Sequence, residues 1–384
     1  MARVAVNKDI LLWAVERSEL SEEIIEIRFP KYTEWLKGSI DPTLHQLESF
    51  ARATHAPFGY FFLPAPPEER LPIPHYRTVV EQVPRRPSPE LLDTVHTMQV
   101  RQEYVREFLQ EEGSPPLWFV NSAALGKDPK LVAQDIRTTL GLSAEWAASK
   151  ATWQEGLRAL ESAVESAGIL VMANGVVGNN NRRPLKVEEF RGFTLVDEYA
   201  PLVFINARDG KAAQMFTLAH EIAHIWLGQS AAFDLRRLEP ADNEIEQACN
   251  RVAAELLVPE VELRALWTSV RGNAEPFQSI ARHFKVSALV AARRAKDLGL
   301  ITRNEFFLFY EAYLTDEHRK REETEDGGDF YATQARRVGR SFAERIIRAT
   351  REGKLLYTEA FKLTSLRGKT YDEFASRILG EYAG

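Results

Sequence analysis

One stretch constrains this chain more than any other: Phe216 to Gly228, which reads FTLAHEIAHIWLG. As a helix, this stretch is apolar on nearly every side, which is typical of a helix buried in a core. His220 and His224 are four residues apart and project from one face, and Glu221 directly follows the first histidine. Burying two imidazoles and a carboxylate side by side is costly unless each group finds a partner. The fold must therefore supply partners for all three.

A divalent cation could partner the three groups, because both rings can ligate as neutral imidazoles and the carboxylate can act through a water molecule. The alternative is that the rings form hydrogen bonds inside an ordinary core, since the HExxH pattern also arises by chance. A third ligand would favour the metal site. The best place for one is Asn243 to Pro259, NEIEQACNRVAAELLVP, whose apolar residues recur at helical spacing.

Glu246 is the acidic residue of this second helix that is best placed to reach an interior ion, because it flanks the apolar stripe. Glu244 and Glu255 project further round the helix, towards solvent. Cys249 is a further candidate ligand, but its position on the apolar stripe favours a small core residue. Two histidines and one glutamate would leave a fourth position open for water, which distinguishes a catalytic site from a closed structural one.

Three segments together resemble the ImmA/IrrE family of metallopeptidase-like proteins, over roughly Gly168 to Leu300: PLVFIN, FTLAHEIAHIWLG and IEQACNRVAAELLVP. The resemblance implies that His220, His224 and Glu246 are metal ligands and that Glu221 is the general base. Two nitrogens and one carboxylate favour zinc (Zn²⁺) as the cofactor, with manganese (Mn²⁺) as the alternative.

Many family members have alanine and phenylalanine where this chain has Cys249 and Val252, which leaves the ligand set unchanged. The metal ion would lower the pKa of a water molecule and polarise the scissile carbonyl, and Glu221 would pass the proton to the leaving amine. The sequence therefore predicts a metal-dependent endopeptidase. The resemblance implies a regulatory protein as substrate, such as a helix-turn-helix repressor, in stress response or mobile-element regulation.

The order of elements predicts an α+β fold, mostly helical, with a small β-sheet packed beside a zincin-like HExxH helix. Three short segments rich in Val, Ile and Phe are predicted strands: ILVMA (169–173), GFTLVD (192–197) and PLVFIN (201–206). The stretch NGVVGNNNRRP between the first two is predicted to be a polar loop. Helical patterns precede and follow the strands.

Changes in composition divide the chain into six segments. Five prolines between Leu63 and Arg77 mark the first boundary, because proline resists helix and favours an extended linker. The predicted segments are an XRE-like helix-turn-helix (1–65), a proline-rich linker (66–85), a helical segment (86–165), an ImmA/IrrE-like metallopeptidase core (166–270), helix-turn-helix-like helices (271–314) and a C-terminal helical extension (315–384).

The N-terminal segment resembles the helix-turn-helix of XRE-type repressors in EWLKG and the following PTLHQLESFA. Its charge argues against strong DNA binding, which depends mainly on positive charge. Residues 1–70 hold eight Lys and Arg against eleven Asp and Glu, a net charge of −3. A helical module for protein contact or homodimerisation is the alternative, and no DNA-binding residue can be named.

A second helix-turn-helix pattern follows the metal-site segments, in FQSIARHFKVSALVAARRAKDLGLI, with its turn at 285–287. Ser287 is a suitable cap for the second helix. Five basic residues occur there with no acid between them, and they indicate either a DNA contact or a solvated helix face: Arg282, Lys285, Arg293, Arg294 and Lys296.

The tail contains a charged segment, Thr315 to Phe330, which is predicted to be a flexible loop. The following YATQARRVGRSFAERIIRATREGK is predicted to be a basic amphipathic helix, either packed with a solvated basic face or contacting nucleic acid or an acidic partner. Similar tails occur in XRE-plus-ImmA/IrrE proteins that resemble antitoxin partners of PIN-type toxins. The alternative function is therefore an antitoxin or transcriptional regulator that binds DNA and a PIN-type toxin, with the metallopeptidase fold as scaffold.

Composition limits the remaining classes of protein. The chain has 384 residues, which predicts two or more domains, and a net charge of −6, which gives no overall nucleic-acid signal. The single cysteine excludes an internal disulfide framework and suits a reducing cytosol. No apolar run approaches the roughly 20 residues needed to span a bilayer. We therefore expect a cytoplasmic protein with no membrane partner.

Overall fold

A computed structural model describes residues 3–18, 20–69, 71, 87–143, 145–228, 244–315 and 329–380, and the backbone of 231–233. The chain divides into two compact units, one formed by Met1–Pro72 with Val83–His96 and the other by Ile73–Gln82 with Thr97–Gly384. Most of the predicted linker at 66–85 and of the predicted charged loop lies outside the described residues. No helix in the described ranges combines the length and apolarity needed to cross a membrane.

Short helices form the N-terminal unit: α1 Lys8–Ser18, α2 Glu22–Arg28, α3 Tyr32–Leu36, α4 Leu44–Ala53 and a 3-10 turn Phe58–Phe62. The Phe50 ring of α4 lies at the centre, within 5.2–5.9 Å of the ring centroids of Phe29, Tyr32, Trp35 and Phe61. Such aromatic clusters bury a large apolar area for a small unit.

The start of α4 differs from the one that the sequence indicates, because Asp41 followed by Pro42 is typical of a helix cap and a first helical residue. Thr43 is the cap, because its hydroxyl accepts a hydrogen bond from the Gln46 amide and the Gln46 side chain accepts one from the Thr43 amide. This reciprocal capping box satisfies two amides that would otherwise lack partners. The helix therefore begins two residues later than expected.

The remaining helices are α5 Pro89–Glu111, α6 Pro129–Thr139, α7 Trp153–Ser166, α8 Lys211–Leu227, α9 Glu244–Leu257, α10 Glu260–Val270, α11 Pro276–Phe284, α12 Ala288–Asp297, α13 Arg303–Thr315, α14 Phe330–Val338, α15 Arg340–Arg351, α16 Tyr357–Thr364 and α17 Gly368–Gly380. The strands are β1 Leu170–Asn174, β2 Val176–Val177, β3 Asn180–Pro184, β4 Gly192–Leu195, β5 Leu202–Asn206 and β6 Ala231–Phe233. The predicted α+β class, mostly helical with a small sheet, is confirmed.

The sheet is small and its inner strand β5 is buried along its whole length. β5 lies between β1, with which it pairs in parallel, and β4, with which it pairs antiparallel. β6 adds a short antiparallel edge against β4. The three predicted strands are confirmed, but the predicted polar loop between the first two contains the antiparallel hairpin of β2 and β3. Asn174 stabilises this turn, because its side-chain amide donates to the Gly178 carbonyl.

Helix α8, which carries HEIAH, packs on β4, β5, α7 and α9. It begins after Gly210 and ends at Gly228, whose left-handed backbone (φ 69°) closes the helix. The amides of Asn121 and Ala123 donate to the carbonyls of Ile225 and Trp226, so a loop satisfies the last turn. These caps allow a helix that is buried on nearly every side.

The predicted second helix-turn-helix pattern is present as α11 and α12. Ser287 caps α12 by accepting a hydrogen bond from the Val290 amide, as expected. Most of its basic side chains form hydrogen bonds or ion pairs within the chain. Lys285 is buried, and its ammonium group donates a hydrogen bond to the Arg282 carbonyl. The ion pairs are Arg294–Glu255, Arg293–Asp297 and Lys296–Asp297. Glu255, expected to point towards solvent, is thus partly buried against Arg294.

The segment after residue 330 was predicted to be one basic helix, but it forms two helices, so the prediction was wrong. Gly339 separates α14 from α15 with φ 84° and ψ 126°, outside the helical region. A Cβ at this position would lie 2.9 Å from the Val171 carbonyl oxygen of β1. The break therefore lets α14 and α15 both pack against the β1 edge.

Candidate metal centre

Side chains from α8 and α9 converge inside the second unit. The Nε2 atoms of His220 and His224 lie 3.0 Å apart. Glu246 Oε2 lies 3.0 Å from His220 Nε2, and Glu246 Oε1 lies 3.2 Å from His224 Nε2. Both histidines are fully buried and Glu246 is 4% exposed. The structure therefore brings together the three predicted ligand side chains, whose role as ligands stays a prediction.

Helix α9 places Glu246 in its first turn, facing α8, while apolar residues such as Val252 and Ala253 fill the interface. Glu244, one position before the stripe, is exposed, as expected. The helical spacing of the apolar residues thus fixes which acid of α9 enters the interior.

Within the described residues, three buried polar atoms of this cluster have no hydrogen-bond partner: Glu221 Oε1, His224 Nδ1 and Glu246 Oε1. Glu246 Oε1 is close to His224 Nε2, but the two atoms are not aligned for a hydrogen bond. Unsatisfied buried atoms at such density are uncommon in native interiors. Two imidazole nitrogens and a carboxylate facing one point are the donor set of a catalytic zinc site, so the residues fit a divalent cation.

The ionisation states also fit a cation. Burial lowers the pKa of His220, against the opposing effect of Glu246. Burial alone would raise the pKa of Glu246, but the closeness of the two imidazoles outweighs burial and holds that pKa below its usual range. A neutral imidazole beside an ionised carboxylate is the protonation state that metal ligands must adopt.

Sequence reasoning missed Asn250, one turn after Glu246 on α9. Its Oδ1 lies 3.1 Å from His220 Nδ1. An amide oxygen only accepts, so this contact assigns the ring proton to Nδ1 and leaves the Nε2 lone pair facing the cluster. Its position four residues after Glu246 on the helix was the signal available in the sequence.

Glu221 lies beside the cluster and is fully buried. The Thr194 hydroxyl of β4, also missed by sequence reasoning, donates to Glu221 Oε2 at 2.6 Å. Burial raises the pKa of Glu221 well above its usual value; the Thr194 bond opposes this and the Glu246 charge adds to it. A Cβ on Gly192 would lie 2.6 Å from Thr217 Cγ2 and 3.2 Å from Glu221 Oε1, so glycine allows β4 to approach here.

Cys249 is buried at 0% exposure, and its Sγ lies within 4.8 Å of ligand atoms of His220 and His224. This distance makes Cys249 a candidate ligand beside Glu246, whose oxygens lie 3.0 and 3.2 Å from the two Nε2 atoms. Burial raises the pKa of its thiol well above the usual value, and the charges of Glu246 and Glu221 raise it further. Only a thiolate ligates well, so Glu246 is the better third ligand.

Comparisons with known families agree with this geometry. Residues 164–296 match the family described as the IrrE N-terminal-like domain, peptidase M78, and this range contains α8, α9 and β4. Residues 338–377 match a domain of unknown function. No curated protein matches the chain. The middle of the chain is therefore similar to the metallopeptidase-like ImmA/IrrE family, whereas the N-terminal XRE-type resemblance stays a prediction.

Proposed function

We propose that this chain is a metal-dependent endopeptidase that cuts a regulatory protein, with a helix-turn-helix repressor as the substrate class that the family resemblance implies. The convergence of His220, His224 and Glu246 at about hydrogen-bond distance is the observation that carries the proposal. These three side chains would hold Zn²⁺, or Mn²⁺ as the alternative.

The residues next to the three ligands have separate roles in the proposed reaction. A divalent cation at this position supplies Lewis acidity towards a carbonyl oxygen and lowers the pKa of a water molecule. Glu221 Oε1, which has no hydrogen-bond partner among the described residues, is the atom that takes the proton and delivers it to the leaving amine. Thr194 holds the other carboxylate oxygen, so the side chain keeps one orientation.

The test is Glu221→Gln, because glutamine keeps the shape and the Thr194 contact but cannot accept a proton at Oε1. We expect the variant to retain zinc and to cleave at least about 100-fold more slowly. The measurement is mass spectrometry of new peptide termini after incubation with a proteome-derived peptide library. Glu244→Gln, an exposed α9 residue, is the matched control and should cleave like wild type. Unchanged cleavage by Glu221→Gln would contradict the assigned mechanism.

A second candidate function is binding, as an antitoxin or transcriptional regulator that contacts DNA or a PIN-type toxin. Helix α2 favours protein contact: Ile24 and Ile27 are 49% and 82% exposed on one face. Glu22, Glu23 and Glu26 surround them and are exposed as well. An apolar patch rimmed by acids suits a basic protein surface and opposes phosphate groups.

Co-expression with a PIN-type toxin separates the two functions. If the chain acts as a binding protein, Glu221→Gln should still neutralise the toxin, whereas Ile24→Asp with Ile27→Asp should not. Loss of neutralisation in Glu221→Gln, with the double variant still active, would count against binding and favour proteolysis.

A further inference from the structure

A cavity of about 1060 Å³ lies in the second unit, and none of the metal-centre side chains lines it. Val171 and Ala173 of β1 contribute to its wall. Helices α7, α14, α15 and α17 provide the rest, so the cavity lies where the C-terminal helices pack on the metallopeptidase-like domain. We name it the C-terminal cleft.

Arginines dominate the charge of the C-terminal cleft. Three of its six arginines are held by acids, in the pairs Arg336–Glu161 at 2.5 Å, Arg340–Glu344 at 3.3 Å and Arg377–Asp329 at 3.4 Å. The guanidinium groups of Arg158, Arg345 and Arg348 make no hydrogen bond or ion pair within the part of the chain that the structure describes, although the charge of Arg348 helps to lower the pKa of Glu352. Arg158 and Arg348 are exposed and Arg345 is half-buried. These three guanidinium groups are available to an anionic ligand.

The fourth acid of the C-terminal cleft does not cancel this charge. Glu165 Oε1 accepts a hydrogen bond from the Ser341 backbone amide. Burial raises the pKa of Glu165 to about 7, and Glu161 and Glu344 raise it too, while Ser341 opposes them. About half of the Glu165 population is therefore uncharged near neutral pH, and the cleft keeps an excess of positive charge.

Apolar and aromatic side chains also line the cleft, beside Ser162, Ser166 and Ser341. Ala335 of α14 and Phe374 and Ile378 of α17 join the β1 residues. The Tyr331 ring lies 4.1 Å from the Arg377 guanidinium carbon, so an aromatic–guanidinium pair also faces the space. Guanidinium groups bind phosphate through paired hydrogen bonds and stack on planar rings.

We propose that the C-terminal cleft binds a nucleoside polyphosphate, with Arg158, Arg345 and Arg348 on the phosphates and the aromatic and apolar lining against the base. The volume is at the upper end of what small-molecule sites offer, and inorganic phosphate alone would leave most of it empty. The site is separate from the metal centre and does not depend on peptidase activity.

Isothermal titration of the full chain in excess Mg²⁺ tests the proposal, with ATP, tripolyphosphate and adenosine as probes. We expect ATP to bind more tightly than either fragment. Arg345→Gln with Arg348→Gln should weaken ATP binding at least about tenfold, because two charge-assisted contacts are lost. Arg351→Gln, an exposed arginine of the same helix outside the cleft, should change affinity less than about twofold.

Three results would overturn the proposal. They are the absence of a heat of binding for ATP at millimolar concentration, wild-type ATP affinity in the double variant, and an affinity for tripolyphosphate equal to that for ATP, which would remove the role of the base. Thermal unfolding of each variant checks that the helices remain folded. We expect the His220→Ala variant to bind ATP as wild type does. A negative result for metal binding can therefore be distinguished from a negative result for ATP binding in the C-terminal cleft.

Discussion

Asn250 and Thr194 each orient one side chain of the candidate metal centre through a single hydrogen bond. Asn250 accepts from His220 Nδ1, and Thr194 donates to Glu221 Oε2. Neither residue could be identified as part of the site from the sequence, because polar residues on a helix flank or in a strand are common outside functional sites. By contrast, His220, His224 and Glu246 could be named, because their spacing on two buried helices restricts where the side chains go.

Asn250→Ala should weaken zinc affinity about 10- to 100-fold while the fold persists, since loss of the acceptor frees the His220 ring and its tautomer. Competition with a chromophoric zinc chelator measures the change. Asn250→Asp keeps an acceptor at the same place and should restore most of the affinity. If the alanine variant binds zinc as tightly as wild type, Asn250 does not orient the ligand.

The raised pKa of Glu165 predicts that the stability of the folded chain depends on pH. Its pKa rises from 4.5 to about 7 in the folded chain, mainly through burial. Between these values the folded state holds a proton that the unfolded state has lost, so this residue's contribution to stability falls as pH rises and reaches its minimum above about 7. Glu165→Gln should therefore have a higher free energy of unfolding than wild type near pH 8, by up to about 3 kcal/mol, and a similar one near pH 5, as measured by thermal unfolding. Equal effects at both pH values would contradict the raised pKa.

At the scale of elements, cap residues and apolar spacing predicted most helices and the three main strands. Ser88, whose residue type is typical of helix caps, caps α5 by accepting a hydrogen bond from the Leu91 amide. The break between α14 and α15 was not predictable, because the apolar stripe continues through it. Only the nearby Val171 carbonyl, distant in sequence, shows why the chain must turn at Gly339.

Gly339→Ala should destabilise the chain by about 1–3 kcal/mol, because alanine meets both an unfavourable φ and the Val171 oxygen. Gly353→Ala is the matched control: its φ is also positive, at 72°, but a Cβ there meets no atom within 4 Å. The control should lose only about 1 kcal/mol. Thermal unfolding followed by circular dichroism compares the two. An equal loss in both variants would mean that the contact with β1 is unimportant.

At the scale of the molecule, charge patterns in the sequence left alternatives open. Five clustered basic residues indicated either a DNA contact or a solvated helix face at α11 and α12, and Arg293, Arg294 and Lys296 form ion pairs within the chain. Glu255, the partner of Arg294, lies 39 positions away in the sequence, so no local pattern could reveal that ion pair. The C-terminal cleft likewise arises from segments that are distant in sequence.

The central claim is that His220, His224 and Glu246 bind one divalent cation, and metal analysis of the purified full chain tests it most directly. After equilibration with zinc and dialysis, inductively coupled plasma mass spectrometry should give one zinc per wild-type chain. His224→Ala and Glu246→Ala should each retain almost none, while Glu244→Ala should match wild type. Folded wild-type protein without zinc or manganese, or equal metal content in all four proteins, would contradict the account.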